Sequence, residues 1–175
     1  MNKARIAGVF YLLTFVTGTA ALVARGRLGV AAGLVAAACY LAVTVLFYDL
    51  FKPVSKGLSL LAACVSLAGL AARPLRLPGV NPLVFFGFYC LLIGYLIFNS
   101  TFLPRNLGLL MAFAGLGWLT FLSAPLAHYL FPYNFFPGIL GEGALTLWLL
   151  VFGVNIPRWE ARAMALRTST SGTRA

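Results

Sequence analysis

PGILGEGALTLWLLVFGVNIP, residues 137–157, is the stretch that decides the fold class. Apart from one acid, Glu142, nearly every residue between its two end prolines is apolar. The run is long enough to cross a bilayer as a helix, which takes about 20 residues. Because proline is tolerated in the first turn of a helix and disfavoured inside it, the two prolines mark the ends of the run. The stretch predicts a membrane-spanning helix that carries one carboxyl group.

The composition of the whole chain predicts the same environment. Of its 175 residues, 62% are hydrophobic and 9% are charged, whereas about 25% of the residues of a soluble domain are charged. So few charged residues cannot cover a water-facing surface, and we expect an integral membrane protein surrounded by the lipid bilayer. The 13 Lys and Arg residues fall in short clusters between apolar runs. This pattern is typical of orientation signals and argues against nucleic-acid binding.

Six apolar runs predict an all-α fold, a polytopic bundle of about six transmembrane helices. The runs do not alternate polar and apolar residues, which disfavours a transmembrane β-barrel. We expect residues 1–157 to form a single transmembrane helical domain and residues 158–175 to form a basic cytoplasmic tail that is partly disordered. The runs cover residues 6–24, 28–51, 57–72, 82–103, 106–127 and 135–156.

The basic residues also predict an orientation. Positive charges favour the cytoplasmic side, and an N-terminus on that side places nine basic residues inside and four outside. We therefore expect both termini in the cytoplasm. As an alternative, Lys3, Arg5 and the apolar segment before GTAA (residues 18–21) fit a cleaved signal peptide, although the first apolar run continues past that site to Ala24. The outer residues are Arg25, Arg27, Arg73 and Arg76, and the other nine basic residues lie inside.

Stripes of small or polar residues predict which helix faces meet, because small residues let helices approach closely in lipid. Glu142 lies on such a stripe with Gly138 and Thr146, within about 80° at 100° per residue. We therefore expect Glu142 to point into the bundle and away from lipid. Other stripes are Ala7, Tyr11, Thr14, Gly18 and Ala21; Gly33, Ala37, Tyr40 and Thr44; and Gly87, Cys90, Gly94, Phe98 and Thr101.

Glu142 is the first candidate for a functional group, because ionisable side chains are rare in spanning segments and usually face the interior or a water-filled cavity. Counted from Pro137, it lies in the outer third of its helix. Two hypotheses stay open: a structural carboxyl that joins two helices, and a proton-accepting or ligand-binding group in an outward-facing pocket. The other candidate site residues are His128, Thr146, Tyr89, Thr120 and Ser123, and further candidate partners are Thr17, Thr19, Arg25 and Arg27.

The remaining reactive groups indicate no catalytic machinery. The chain lacks GxSxG, HExxH and Walker motifs, and its acids and one histidine leave few groups for acid–base chemistry. Asp49, three residues before Lys52, is expected to form a local ion pair. The three cysteines lie inside apolar runs without metal-ligand spacing, so we expect neither a metal nor another cofactor.

A family resemblance rests on five stretches. They are RIAGVFYLLTFVTG (5–18), LFKPVSKGLSLLAA (50–63), FFGFYCLLIGYLIFNSTFLPR (85–105), LGLLMAFAGLGWLTFLSAPLA (107–127) and LTLWLLVFGVN (145–155). These stretches resemble a bacterial family of multi-pass membrane proteins catalogued as domain of unknown function four-three-eight-six. The resemblance implies a single inner-membrane domain and no established activity. It also implies that an acid is common where Glu142 stands and a basic residue where Phe152 stands, so Phe152 departs from the family pattern.

Together these observations favour a non-enzymatic helical bundle that binds a small molecule, a lipid or a partner. The partner is either a different membrane subunit or a second copy of the chain. One alternative is a proton-coupled small-molecule carrier that uses Glu142. A weaker alternative is an intramembrane enzyme acting on a lipidic substrate.

Overall fold

A computed structural model describes residues 3–75 and 81–172 of the chain. Every one of the six apolar runs contains a helix, and the described residues include no strand, which confirms the predicted all-α bundle. The helices are α1 (Lys3–Val23), α2 (Gly26–Phe51), α3 (Lys56–Leu75), α4 (Pro82–Phe98), α5 (Arg105–Leu119), α6 (Ala124–Leu130), α7 (Phe136–Val151) and α8 (Ile156–Gly172), with short 3-10 turns at Thr120–Leu122 and Tyr133–Phe135.

The lengths and surfaces of these helices indicate a membrane protein. Large apolar side chains point outward, among them Leu22, Val23 and Leu28, which are 82%, 78% and 76% exposed. Such a surface suits hydrocarbon better than water. Within the described residues, four segments are long and apolar enough to cross a membrane, and two apolar helices are shorter. The four are Lys3–Val23, Gly26–Phe51, Arg105–Leu122 and Tyr133–Val151; the two are Lys56–Ala72 and Pro82–Phe98.

Helices α4, α5 and α7 end several residues before their apolar runs. Helix α4 stops at Phe98, where Asn99 Nδ2 donates to the Tyr95 carbonyl (2.9 Å) and Ser100 Oγ donates to the Ile97 carbonyl (2.7 Å). These side chains satisfy the last carbonyls of the helix, so the chain can turn. The fifth run breaks into α5, a 3-10 turn and the short helix α6, because Pro125 fits the first turn of a new helix and not the interior of a long one.

Helices α4 and α5 pack with their backbones almost in contact. A Cβ added to Gly94 would lie 2.8 Å from the carbonyl oxygen of Gly108, and one added to Gly108 would lie 2.6 Å from that of Gly94. Two turns along, a Cβ at Gly115 would lie 2.8 Å from the carbonyl oxygen of Gly87. Only glycine permits this approach, so the small-residue stripe predicted for α4 is its contact face.

At one end of the bundle, lysine and tryptophan side chains connect the beginnings of α1 and α8 to the end of α2. Lys3 Nζ lies 3.2 Å from Asp49 Oδ2 at the end of α2, and Lys52 Nζ lies 2.7 Å from Asp49 Oδ1, which confirms the predicted local pair. Trp159 Nε1 of α8 donates to the carbonyl of Leu50 (2.9 Å). The beginning of α1, the end of α2 and the beginning of α8 therefore share one end. The assignment of that end to the cytoplasm, and the division of the chain at residue 157, stay predictions.

Candidate functional site

Glu142 is buried in the middle of α7. It is the seventh of the helix's 16 residues and is 1% exposed, and at 1.5 Å per residue it lies about 9 Å from the helix start. About 9 Å of a hydrocarbon core of about 30 Å is consistent with the outer third expected from the sequence, and the depth of Glu142 in a membrane stays a prediction. Gly138, Thr146 and Leu149 on the same stripe are also buried, so the stripe faces the bundle as predicted.

Two neutral donors hold the carboxylate of Glu142. Trp118 Nε1 of α5 donates to Oε1 at 2.6 Å, and the Tyr11 hydroxyl of α1 donates to Oε2 at 3.1 Å. Each carboxyl oxygen thus has one partner, and the two partners come from different helices. Both ion pairs found among residues 3–75 and 81–172 belong to Asp49. Glu142 therefore joins α1, α5 and α7 without a cation.

The indole of Trp118 reaches Glu142 because Gly138 leaves room for it. Trp118 is the fourteenth of the 15 residues of α5, and helical side chains lean toward the N-terminus of their helix, which here directs the indole into the bundle. A Cβ at Gly138 would lie 2.5 Å from Trp118 Cζ2 and 2.6 Å from Cε2. Gly138 precedes Glu142 by one turn, so the indole lies across the bare backbone of α7 with its N–H aimed at the carboxylate.

Aromatic rings surround the two donors. Tyr11 stacks on Phe15 with ring centroids 5.3 Å apart and meets Phe47 edge-on at 5.8 Å. Trp118 lies 5.6 Å from Phe86 and 5.4 Å from Phe135, also between ring centroids. These rings keep bulk water from the carboxylate, and in such a medium each remaining polar contact is electrostatically stronger.

Two buried hydroxyl groups have no hydrogen-bond partner among the residues that the structure describes. They are the Tyr89 hydroxyl and Thr146 Oγ1, on side chains that are 1% and 2% exposed. Thr146 follows Glu142 by one turn on the same face of α7, and the Tyr89 ring stacks on Phe86, which in turn packs against Trp118. A buried polar group without a partner is unfavourable by about 1–3 kcal/mol. These hydroxyls therefore retain unused hydrogen-bonding capacity beside a carboxylate.

The other candidates do not contact Glu142. Thr120 Oγ1 donates to the Gly117 carbonyl (2.7 Å) and accepts from Asn134 Nδ2 (3.3 Å), so it serves the turn after α5. Ser123 and His128 are exposed around α6. Of the further partners considered, Thr17 donates to the carbonyl of Leu13 (2.6 Å), and Thr19, Arg25 and Arg27 are exposed. The structure thus gathers Tyr89 and Thr146 near Glu142 and leaves the rest outside.

Sequence reasoning missed Tyr11 and Trp118 as the partners of Glu142. Tyr11 lies on a predicted contact stripe, so the sequence predicted that its side chain points into the bundle. It did not predict that Tyr11 pairs with Glu142. Trp118 lies near the end of its helix, and a comparison of backbone depths overlooks a long side chain that reaches about one turn deeper. One signal in the sequence was Gly138, one turn before Glu142, because a glycine there leaves room for a large ring beside the carboxyl group.

The described residues offer a metal no conventional site: within 3–75 and 81–172, no group of three or more His, Cys, Asp or Glu side chains is close enough to hold an ion. The Tyr11 hydroxyl is hydrogen-bonded to Glu142, and Tyr89 of α4 and Thr146 of α7 add two buried hydroxyls without a partner among the described residues. We call these four residues the Glu142 cluster; their oxygen atoms can accept hydrogen bonds from a guest, and the carboxyl group can take up a proton.

Comparison with known proteins gives a family match over part of the chain and no activity. Residues 80–153 match the family described as Domain of unknown function (DUF4386), which confirms the resemblance over a segment that includes Tyr89, Trp118 and Glu142. An uncharacterized protein of Archaeoglobus fulgidus is 28% identical over 125 residues, which cover 63% of this chain and 75% of that protein. No solved structure matches the chain.

Proposed function

We propose that the protein is a non-enzymatic, membrane-embedded binding protein that takes up a small-molecule or lipid-like ligand at Glu142. The observation that supports this most is the pair of unpartnered hydroxyls, Tyr89 and Thr146, close to the buried carboxylate. A ligand with hydrogen-bond donors would satisfy them, and each oxygen of Glu142 accepts more than the one bond it now has. The charge distribution supports a bacterial inner-membrane location with both termini in the cytoplasm.

Native mass spectrometry of the protein extracted in a mild detergent tests this proposal. We expect the wild type to carry an additional small-molecule mass that Glu142→Gln loses. Glu160→Gln is the matched control, because Glu160 is exposed on α8 and makes the same change of charge away from the site. The proposal would be contradicted if the wild type carried no additional mass. It would also be contradicted if the wild type, Glu142→Gln and Glu160→Gln all carried the same additional mass.

A second pair of variants separates binding from stability. Tyr89→Phe removes only a hydroxyl that has no partner, so we expect stability to stay equal or rise by about 1–3 kcal/mol while ligand occupancy falls. Tyr129→Phe is the control, because Tyr129 of α6 is 84% exposed. Unchanged occupancy in Tyr89→Phe would remove this hydroxyl from the site.

A proton-coupled carrier is the second candidate, and the neutral partners of Glu142 favour it. A carboxyl held by an indole N–H and a phenol can exchange a proton without breaking an ion pair. In proteoliposomes loaded with a pH-sensitive dye, a carrier would produce a substrate-dependent pH change that Glu142→Gln abolishes and Glu160→Gln retains. Wild-type vesicles without such a signal would leave the binding protein as the better proposal.

An intramembrane enzyme has the least support. The chain's one histidine, His128, is exposed on α6, and Glu142 has a phenol and an indole as partners in place of a second acid or base. General acid–base catalysis needs a group of suitable proton affinity within hydrogen-bond reach.

A further inference from the structure

An apolar groove runs along the outer side of the bundle between α3 and α4, far from the contacts of Glu142. Its volume is about 590 Å³. Leu58, Leu61 and Val65 line it from α3, and Phe88, Leu92 and Tyr95 line it from α4. Leu58 and Val65 are seven residues apart, so this wall is about 10 Å long, which lies within the roughly 15 Å depth of one leaflet.

The two helices are antiparallel, which fixes the direction of the groove. A Cβ at Gly69, in the later part of α3, would lie 2.9 Å from Cβ of Phe85 near the start of α4. The beginning of α3 and the end of α4 therefore share the opposite end of the groove. Leu58 and Tyr95 mark that end.

Two cations lie at this same end. Lys56 is the exposed first residue of α3, two positions before Leu58. The guanidinium carbon of Arg105 lies 5.6 Å from the ring centroid of Phe98, three positions after Tyr95. The ion pairs of the described residues engage Lys3 and Lys52 with Asp49 and include neither Lys56 nor Arg105. An apolar groove thus ends at two cations without an acidic partner.

We propose that this groove binds one phospholipid with an anionic headgroup. Its acyl chain lies against the leucines of α3 and the aromatic rings of α4, and its phosphate lies near Lys56 and Arg105. Charge complementarity selects this occupant, because a neutral lipid would use the groove and leave both cations unpaired. The site shares no residue with the Glu142 cluster, so it stands independently of the proposed function.

Lipid titration of the purified, delipidated protein, followed by native mass spectrometry, tests the headgroup. We expect phosphatidylglycerol to bind more tightly than phosphatidylcholine, and Lys56→Gln and Arg105→Gln each to weaken phosphatidylglycerol binding about fivefold. Arg27→Gln changes an exposed cation in the first turn of α2; it is the control and should leave affinity unchanged. Equal affinity of the wild type for the two lipids, or equal losses in all three variants, would overturn the proposal.

A second titration tests the groove. Leu60 and Leu61 are both exposed on α3, at 52% and 48%, and only Leu61 lines the groove. We expect Leu61→Trp to weaken phosphatidylglycerol binding about tenfold and Leu60→Trp to leave it unchanged, with melting temperatures confirming that both fold. Equal effects of the two changes, or displacement of the lipid by excess inorganic phosphate alone, would overturn the proposal. Glu142→Gln should bind phosphatidylglycerol normally, so failure here is separable from failure of the proposed function.

Discussion

Replacing Gly138 by alanine should break the contact that holds Glu142. The added Cβ would lie 2.5 Å from Trp118 Cζ2 and 2.8 Å from Nε1, so the indole must move and its 2.6 Å bond to Glu142 must lengthen. Leaving a buried hydrogen-bonding group without its partner is unfavourable by about 1–3 kcal/mol and overpacking by about 1–3 kcal/mol. Alanine in place of helical glycine returns about 1 kcal/mol. We expect a net destabilisation of about 1–5 kcal/mol.

Gly143→Ala is the matched control for this prediction. Gly143 lies five residues later on α7, and no atom lies within 4 Å of a Cβ added there, so alanine should stabilise the helix by up to about 1 kcal/mol. The free energy of unfolding of both variants can be measured by SDS titration in dodecyl maltoside micelles, followed by far-UV circular dichroism. Equal stabilities of Gly138→Ala and Gly143→Ala would refute the argument that position 138 must be glycine to leave room for the Trp118 indole.

Three further predictions use the same unfolding assay or proteolysis. Trp118→Phe should lower the free energy of unfolding by about 1–3 kcal/mol more than Trp148→Phe, because the Trp118 indole donates to a buried carboxyl group; similar losses would contradict this. Gly94→Ala should destabilise by about 1–3 kcal/mol, because its Cβ would meet the α5 backbone, whereas Gly57→Ala, with open space around it, should not. Trp159→Phe removes the bond to the Leu50 carbonyl and should speed tryptic cleavage within α8; an unchanged rate would exclude docking through this bond.

The helical architecture and the inward direction of Glu142 followed from sequence, for physical reasons. In lipid every backbone polar group needs an internal partner, so a long apolar run has to be a helix. The 100° rotation per residue then places Glu142 with Gly138 and Thr146 whatever the neighbours are. The helix ends were less predictable. The capping bonds of Asn99 and Ser100 terminate α4 at Phe98, five residues before the end of the run that was predicted to reach Leu103.

The partners of Glu142 could not be derived in the same way. Hydropathy gives the depth of a backbone and the face of a helix, but a pairing depends on which helices are neighbours and how far each side chain leans. Thr120 was predicted near Glu142 by depth, yet it bonds within its own turn. Trp118, two residues earlier, reaches the carboxylate because its ring is long and Gly138 is bare.

Glutamine at position 142 is informative because it changes charge and proton affinity while leaving volume almost unchanged. Its amide oxygen can accept from Trp118 Nε1, and its NH2 group can donate to the Tyr11 hydroxyl, which is able to accept as well as donate. Leucine would instead leave both donors buried without a partner, at about 1–3 kcal/mol each. If Glu142 only braces three helices, Glu142→Gln therefore keeps the fold and any bound molecule. If Glu142 is a binding or proton-accepting group, the same variant keeps the fold and loses the ligand or the proton.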